Sequence, residues 1–340
     1  MNSVDSIETL RRADPAGKIP DGPLDERARE DLAEFLSEAS AETPSRQWVS
    51  RRTLLVGVAA ATAGAVCLVV TDPFGSTSPA VAATPPLIDS VLNGGRPAKD
   101  GLYRLAAIAE KGTEFPGDGR GPHVVRTESW SLSTRIDGRQ IRSAVVPEIT
   151  ELTWNADRSG HIAVRTGKPY LPSADYQATW KDAGSPGKSG TVVRDETWQQ
   201  GGYTPMFPNV PLPSDNDRLL ATLKAGHPID KLGTGELAVA INDLYNESHP
   251  GPAVRASLLR LLAARPDVVS LGQMTDRAGR PVEGFAIDSA LTGLPQRQIM
   301  MFSPMTGTLL AAEEILTKDA GKLGVRIPSV ISYRLYFPAR

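Results

Sequence analysis

Residues 123–146 read HVVRTESWSLSTRIDGRQIRSAVV, and the period of this stretch decides the fold. Trp130, Leu132, Thr134 and Ile136 alternate with Ser129, Ser131, Ser133 and Arg135, so one face is apolar and the other polar, as in a half-buried strand. Asp137-Gly138 then supplies a hairpin turn. Downstream, Glu148 to Trp154 is followed by a turn over 155–160 and a returning run, His161 to Thr166. Consecutive strands joined by turns this short must be antiparallel.

Further along, the period lengthens. Residues 215–225 are expected to form a helix, opened by a weakened capping box between Ser214 and Asp217. Leu237, Ile241 and Leu244 mark a second helix. Pro252 starts a third, containing Val254, Leu258, Leu261 and Leu262, which Arg265-Pro266 stops. Strands resume at 267–275, 282–287, 298–302, 309–316 and 330–337, with turns at 276–280 and 303–307. One more helix is expected upstream, over 100–111, on the strength of Leu102, Leu105, Ala106 and Ile108. Strands, then helices, then strands imply an α+β domain, here with a curved antiparallel sheet and a helical block, because a strongly twisted sheet of that many strands curls. Such a sheet with helices on its concave side can leave an apolar groove.

In front of this domain, residues 50–71 read SRRTLLVGVAAATAGAVCLVVT. The nineteen uncharged residues 53–71 reach about 28 Å as a helix, close to the ~30 Å hydrocarbon core of a bilayer. They are expected to form a transmembrane helix. Arg46, Arg51 and Arg52 precede the run, whereas no Lys or Arg follows until Arg96, so the positive-inside rule puts the N-terminus in the cytoplasm and the bulk of the chain outside. Other readings of the segment are a twin-arginine export route through Arg51-Arg52 and cleavage near Ala82 in the triplet Ala80-Val81-Ala82. A lipoprotein signal ending at Cys67 lacks the small residue it needs at 66, where Val66 stands. Residues 72–86 are rich in Pro, Ala, Ser and Thr and read as a linker to the exported region, 87–340.

The net charge of −2 conceals an acidic arm: residues 1–49 hold eleven Asp/Glu against six Lys/Arg. Within it, Leu24, Leu32, Phe35 and Leu36 fall on one face of a candidate helix over 23–39, too short to bury that face on itself and so a candidate partner-binding helix. No part of the chain has the basic excess of a nucleic-acid binder. The lone cysteine excludes an intrachain disulfide.

Tests for chemistry find no catalytic, cofactor or metal motif. Gly187-Lys188-Ser189 in GSPGKSG (184–190) matches the end of a phosphate-binding loop, but Asp182 stands where its first glycine belongs and the residues after it read as strand, not helix. His123, His161, His227 and His249 have no ligand spacing. Asp195-Glu196 and Glu313-Glu314 are neighbours in strands and therefore point to opposite faces. Met300, Met301, Met305 and Phe302 could line a lipid-accepting groove, though core packing explains them more simply.

The acidic arm, the arginine-led span, AVAATPPL (80–87), RTESWSL (126–132), PAVRASLLRLLAARPDVVSLGQMTDRAGRPVEGFAI (252–287) and FSPMTGTLLAAE (302–313) resemble a family of actinobacterial single-pass membrane proteins whose motifs are structural. Genes of that family often lie beside those of extracytoplasmic-function sigma factors. The resemblance implies a binding or sensor role at the cell membrane, with a cytoplasmic regulator such as a sigma factor on one side and an envelope lipid or peptide ligand on the other. The exported region is also similar, more loosely, to the half-barrels of lipoprotein carriers and sigma-factor regulators, which implies a tethered lipid carrier as the alternative. Zinc-type anti-sigma proteins carry H-x-x-x-C-x-x-C in their cytoplasmic arm, and residues 1–49 contain no cysteine. That mechanism is excluded.

Overall fold

A computed structural model describes residues 84–337, apart from 90, 93, 114–121, 133–134, 138–139, 143–144, most of 172–186, 208–210 and 322. The expected partner-binding helix (Leu24, Leu32, Phe35, Leu36), the orienting arginines Arg46, Arg51 and Arg52, and the expected span at 53–71 lie outside the described residues. Among the described residues no helix is long and apolar enough to cross a membrane.

The domain is α+β, built on one large antiparallel sheet. In chain order its elements are β1 (Arg96–Pro97), α1 (Lys99–Glu110), β2 (His123–Ser131), the small hairpin β3 (Arg135–Asp137) and β4 (Gln140–Arg142), β5 (Glu148–Trp154), β6 (Gly160–Thr166) and β7 (Val192–Trp198). Then come α2 (Asn216–Gly226), α3 (Ile229–Leu232), α4 (Thr234–Glu247) and α5 (Pro252–Ala263). The chain closes with β8 (Val268–Thr275), β9 (Pro281–Ser289), β10 (Gln296–Phe302), β11 (Leu309–Leu316) and β12 (Ser329–Phe337). Ten strands form the sheet in the order β1-β8-β9-β10-β11-β12-β2-β5-β6-β7. Two joins are long-range: β1 against β8, with Arg96 opposite Ser270, and β12 against β2, with Tyr333 opposite Trp130.

Local chemistry sets the helix ends. Asp215, not Ser214, caps α2, its side chain accepting from the Arg218 amide at 3.0 Å. The Ser214 carbonyl accepts instead from the Ser257 hydroxyl. Pro252 occupies the first turn of α5, where a missing N–H costs nothing.

Alternation then divides the sheet into two faces. Phe285, Ile287, Met300, Phe302 and Tyr336 point to the helices and share a core with Leu105, Leu219, Leu237, Ile241 and Leu259. α1 and α5 come close over the β10–β11 turn. A Cβ on Gly307, whose φ is +63°, would meet Ala109 Cβ at 2.9 Å and Leu259 Cδ1 at 3.0 Å, so only glycine fits there. Val282, Ala286, Ile299, Met301, Ala311, Ile315 and Val330 point the other way and are also buried. Among the described residues no helix contributes to the cluster on this second face. Its cover includes Leu87, Ile88 and Val91 from the segment before β1, and Leu132 and Val145 from the chain around the β3–β4 hairpin.

Candidate functional site

Two clusters of buried ionisable groups stand out, one on each face. The first lies at the C-terminal end of α4. Glu247 sits in the last turn, where the helix dipole disfavours a negative charge, and is nearly enclosed. Its carboxylate accepts from the Met206 amide at 2.9 and 3.0 Å and from Tyr203 Oη at 3.4 Å. Burial is the largest influence and raises its pKa to about 7 against those hydrogen bonds, with Asp243 adding to the rise. Burial, followed by the charge of Glu247, pushes the Tyr203 phenol upward. Trp154 Nε1 donates to the Glu247 carbonyl at 2.6 Å, satisfying a backbone acceptor at the helix end, and its ring stacks on His123 at 4.1 Å. One face of α4 also carries Glu236, whose Oε1 is 2.9 Å from His227 Nδ1, while Asp243 Oδ2 is 3.7 Å from His227 Nε2. These groups latch the 203–207 segment and His227 to the helix.

The second cluster is on the helix-free face. Glu313 is 2% exposed within an apolar surface, beside Ile299 and Tyr333 in the register of β10, β11 and β12. Burial raises its carboxyl above the ordinary range, and Arg277 opposes that rise. Arg277 comes from the β8–β9 turn: Nη2 donates to Glu313 Oε2 at 2.9 Å, Nε lies 2.7 Å from Oε1, and the guanidinium lies over the Tyr333 ring at 5.1 Å. Tyr333 Oη donates to Glu128 Oε1 at 3.3 Å. The same turn anchors itself through Asp276, which accepts from the amides of Ala278 and Arg280 and from Arg280 Nε. Arg280 then reaches the carbonyls of Tyr336 and Leu310. A stretch that reads as a plain turn in the sequence is thus a clamp on two distant strands.

What Arg277 also holds gives this face its interest. Its Nη2 donates to the Pro86 carbonyl at 2.9 Å, Arg297 Nη1 donates to the Val91 carbonyl at 3.3 Å, and Thr84 Oγ1 lies 3.0 Å from Ser329 Oγ. Residues 84–89 and 91 lie as a strap across the sheet, with Pro85 and Val91 buried and Leu87 and Ile88 half-buried.

The residues singled out in the sequence are not gathered into one site. Met300 belongs to the helix-side core and Met301 to the second face, while Met305 is 78% exposed on a turn, so the three methionines share no groove. Asp195 pairs with His161 at 2.9 Å on one face of β7, and Glu196 accepts from Arg194 and Trp198 on the other, as strand geometry requires. Lys188 lies in a loop that leads into strand β7 and not into a helix. Its carbonyl accepts from the hydroxyls of Thr166 and Thr191. Among the described residues, no group of three His, Cys, Asp or Glu side chains is arranged to hold a metal ion.

Sequence reasoning missed the strap and its clamp, yet one signal was present. Two glutamates, Glu313 and Glu314, stand inside LLAAEEIL, a run otherwise free of charge and Gly/Pro breaks; each must be either exposed or paired, and burial of Glu313 leaves pairing for that one.

Fold and sites together define an α+β domain with helices on one sheet face and its own N-terminal strap on the other. Compared with known proteins, no family model matches the chain, no curated protein matches its sequence and no solved structure matches its fold.

Proposed function

We propose that this chain is a membrane-anchored extracytoplasmic binding or sensor protein, coupled through its acidic arm to a cytoplasmic regulator. The observation that carries the reading is the strap. If residues 53–71 span the bilayer, only residues 72–83 separate them from Thr84, and twelve residues extend at most about 40 Å. A domain fastened at Pro86 and Val91 is then held next to the membrane surface, and whatever shifts the strap also pulls on the span. The finer picture of the fold belongs to the same proposal: a curved sheet, preceded by one transmembrane helix and a short helical arm. Bulges at Ser270/Gly272, Met301/Phe302, Glu314/Ile315 and Val164/Arg165 support the curvature, because a bulge bends its strand.

Thiol labelling of intact cells tests the topology. In a Cys67→Ala background, a membrane-impermeant maleimide is expected to label Met305→Cys, on the exposed turn, and to leave Ser3→Cys unlabelled until the membrane is opened. Labelling of Ser3→Cys in intact cells, or recovery of the labelled domain from the medium, contradicts the anchored reading. Deletion of residues 1–49 tests the regulatory half, which predicts altered transcription of the partner's target genes; unaltered transcription removes it.

A further inference from the structure

We propose that the second sheet face is a binding groove for an extended apolar peptide, and that the strap is its resident occupant. Three features make the face a reader of peptide main chain. Both arginines that touch the strap donate to backbone carbonyls, at Pro86 and Val91, a contact that any sequence can supply. Both guanidiniums are positioned by carboxylates of the sheet, Arg277 by Glu313 and Arg297 by Asp288 at 2.7 and 2.8 Å, so the donors stay in place when the strap leaves. Between them the apolar face seats the strap's side chains in sockets of its own cluster, with Val91 buried and Leu87 and Ile88 half-buried. Specificity for the occupant therefore comes from the side chains seated in the sockets, and affinity from the main chain.

In this proposal the strap is displaced as a unit. Downstream it ends at Gly94, where a side chain would meet nothing within 4 Å, before Gly95 packs against Val269 of β8, and upstream it continues into the Pro/Ala-rich linker. A desolvated ion pair within an apolar face is costly to hold. Lifting the strap returns Arg277 and Glu313 toward water, which offsets part of the cost of uncovering the floor. An incoming peptide competes with a tethered segment at high effective concentration, so only one that fills the sockets better displaces it. The groove rests on the fold alone. The consequence that displacement pulls on the span rests on the anchored reading above.

The test uses the full chain carrying Cys67→Ala, Thr84→Cys and Ser329→Cys, the last two replacing hydroxyls 3.0 Å apart, so that oxidation locks the strap and reduction frees it. Ile88→Ala and Val91→Ala are added to weaken its hold. The probe is a fluorescein-labelled peptide of the strap sequence, TPPLIDSVL (84–92). The reduced protein is expected to bind it at least tenfold more tightly than the oxidised protein, and Arg277→Ala to weaken that binding at least tenfold. Cooperative thermal unfolding is recorded first, and Leu87→Ala replaces the pair of truncations if they prevent folding. Equal binding in both redox states, or none in either, overturns the groove. Binding of phosphatidylglycerol vesicles by the reduced form without binding of the peptide overturns it in favour of a lipid site. A failed topology would appear in the maleimide pattern and leave the redox dependence of peptide binding unchanged, so the two failures are distinguishable.

Discussion

Strands β9 to β12 and strands β5 to β7 belong to one sheet, but they are buried in opposite styles. In β9, six consecutive residues from Val282 to Ile287 are buried, because helices cover one face and the strap, with its neighbours, covers the other. In β7 no residue is fully buried, and its second face carries Asp195 paired with His161 and Arg165. The polar half meets water and manages its charges as exposed pairs, of which the Arg126–Glu151 contact at 3.6 Å is another. The covered half holds charge pairs largely taken out of water, Arg277–Glu313 and, from the same turn, Arg280–Asp276. A buried ion pair seldom adds stability over apolar packing and is retained most credibly for a specific or switching contact. Here that contact is the Pro86 carbonyl.

The contrast makes the two halves separable by mutation. The largest effect is expected for Glu313→Ala, which leaves Arg277 charged in an apolar setting; a loss of about 3–5 kcal/mol in denaturant unfolding is the magnitude for breaking a buried pair. A change near zero would mean that the pair is solvated and the contrast false. Next is the latch on the helix side. Glu247 titrates near 7 in the folded chain against about 4.5 when unfolded, so the folded state binds the extra proton and stability falls as pH rises between those values. The swing is about 3 kcal/mol. In Glu247→Gln the stability difference between pH 5 and pH 8 is expected to shrink by that amount, and an unchanged profile would place the titration elsewhere. Third, Val91→Ala removes two buried methyl groups from the strap, for about 2 kcal/mol by thermal unfolding. The smallest effect is expected in the polar half, where Arg126→Ala costs less than about 1 kcal/mol.

Much of this fold is legible in the sequence, because its elements are set by local rules. The strand from Glu148 to Trp154 and the one from Leu309 to Leu316 can be read to the residue, and Pro252 marks the start of α5. What is not legible is non-local. β2 pairs with β12 about 200 residues later, and nothing in the alternation of HVVRTESWS names that partner. The strap has no period at all: TPP (84–86) reads as the end of a linker, and only the apolar floor beneath it shows why Leu87, Ile88 and Val91 are there. Arg277 reads as one of a run of turn residues, and its role appears only when Glu313 is found opposite. The candidate site is thus the part of the molecule where local pattern and global packing disagree.

The central claim, that the chain's own N-terminal segment closes the helix-free face, is tested most directly by the Thr84→Cys/Ser329→Cys pair in an otherwise native full chain with Cys67→Ala. A docked strap predicts near-complete disulfide formation under mild oxidation and a melting temperature raised by several degrees in the oxidised form. Two thiols that both stay free and react with maleimide at the rate of an unfolded chain would contradict it.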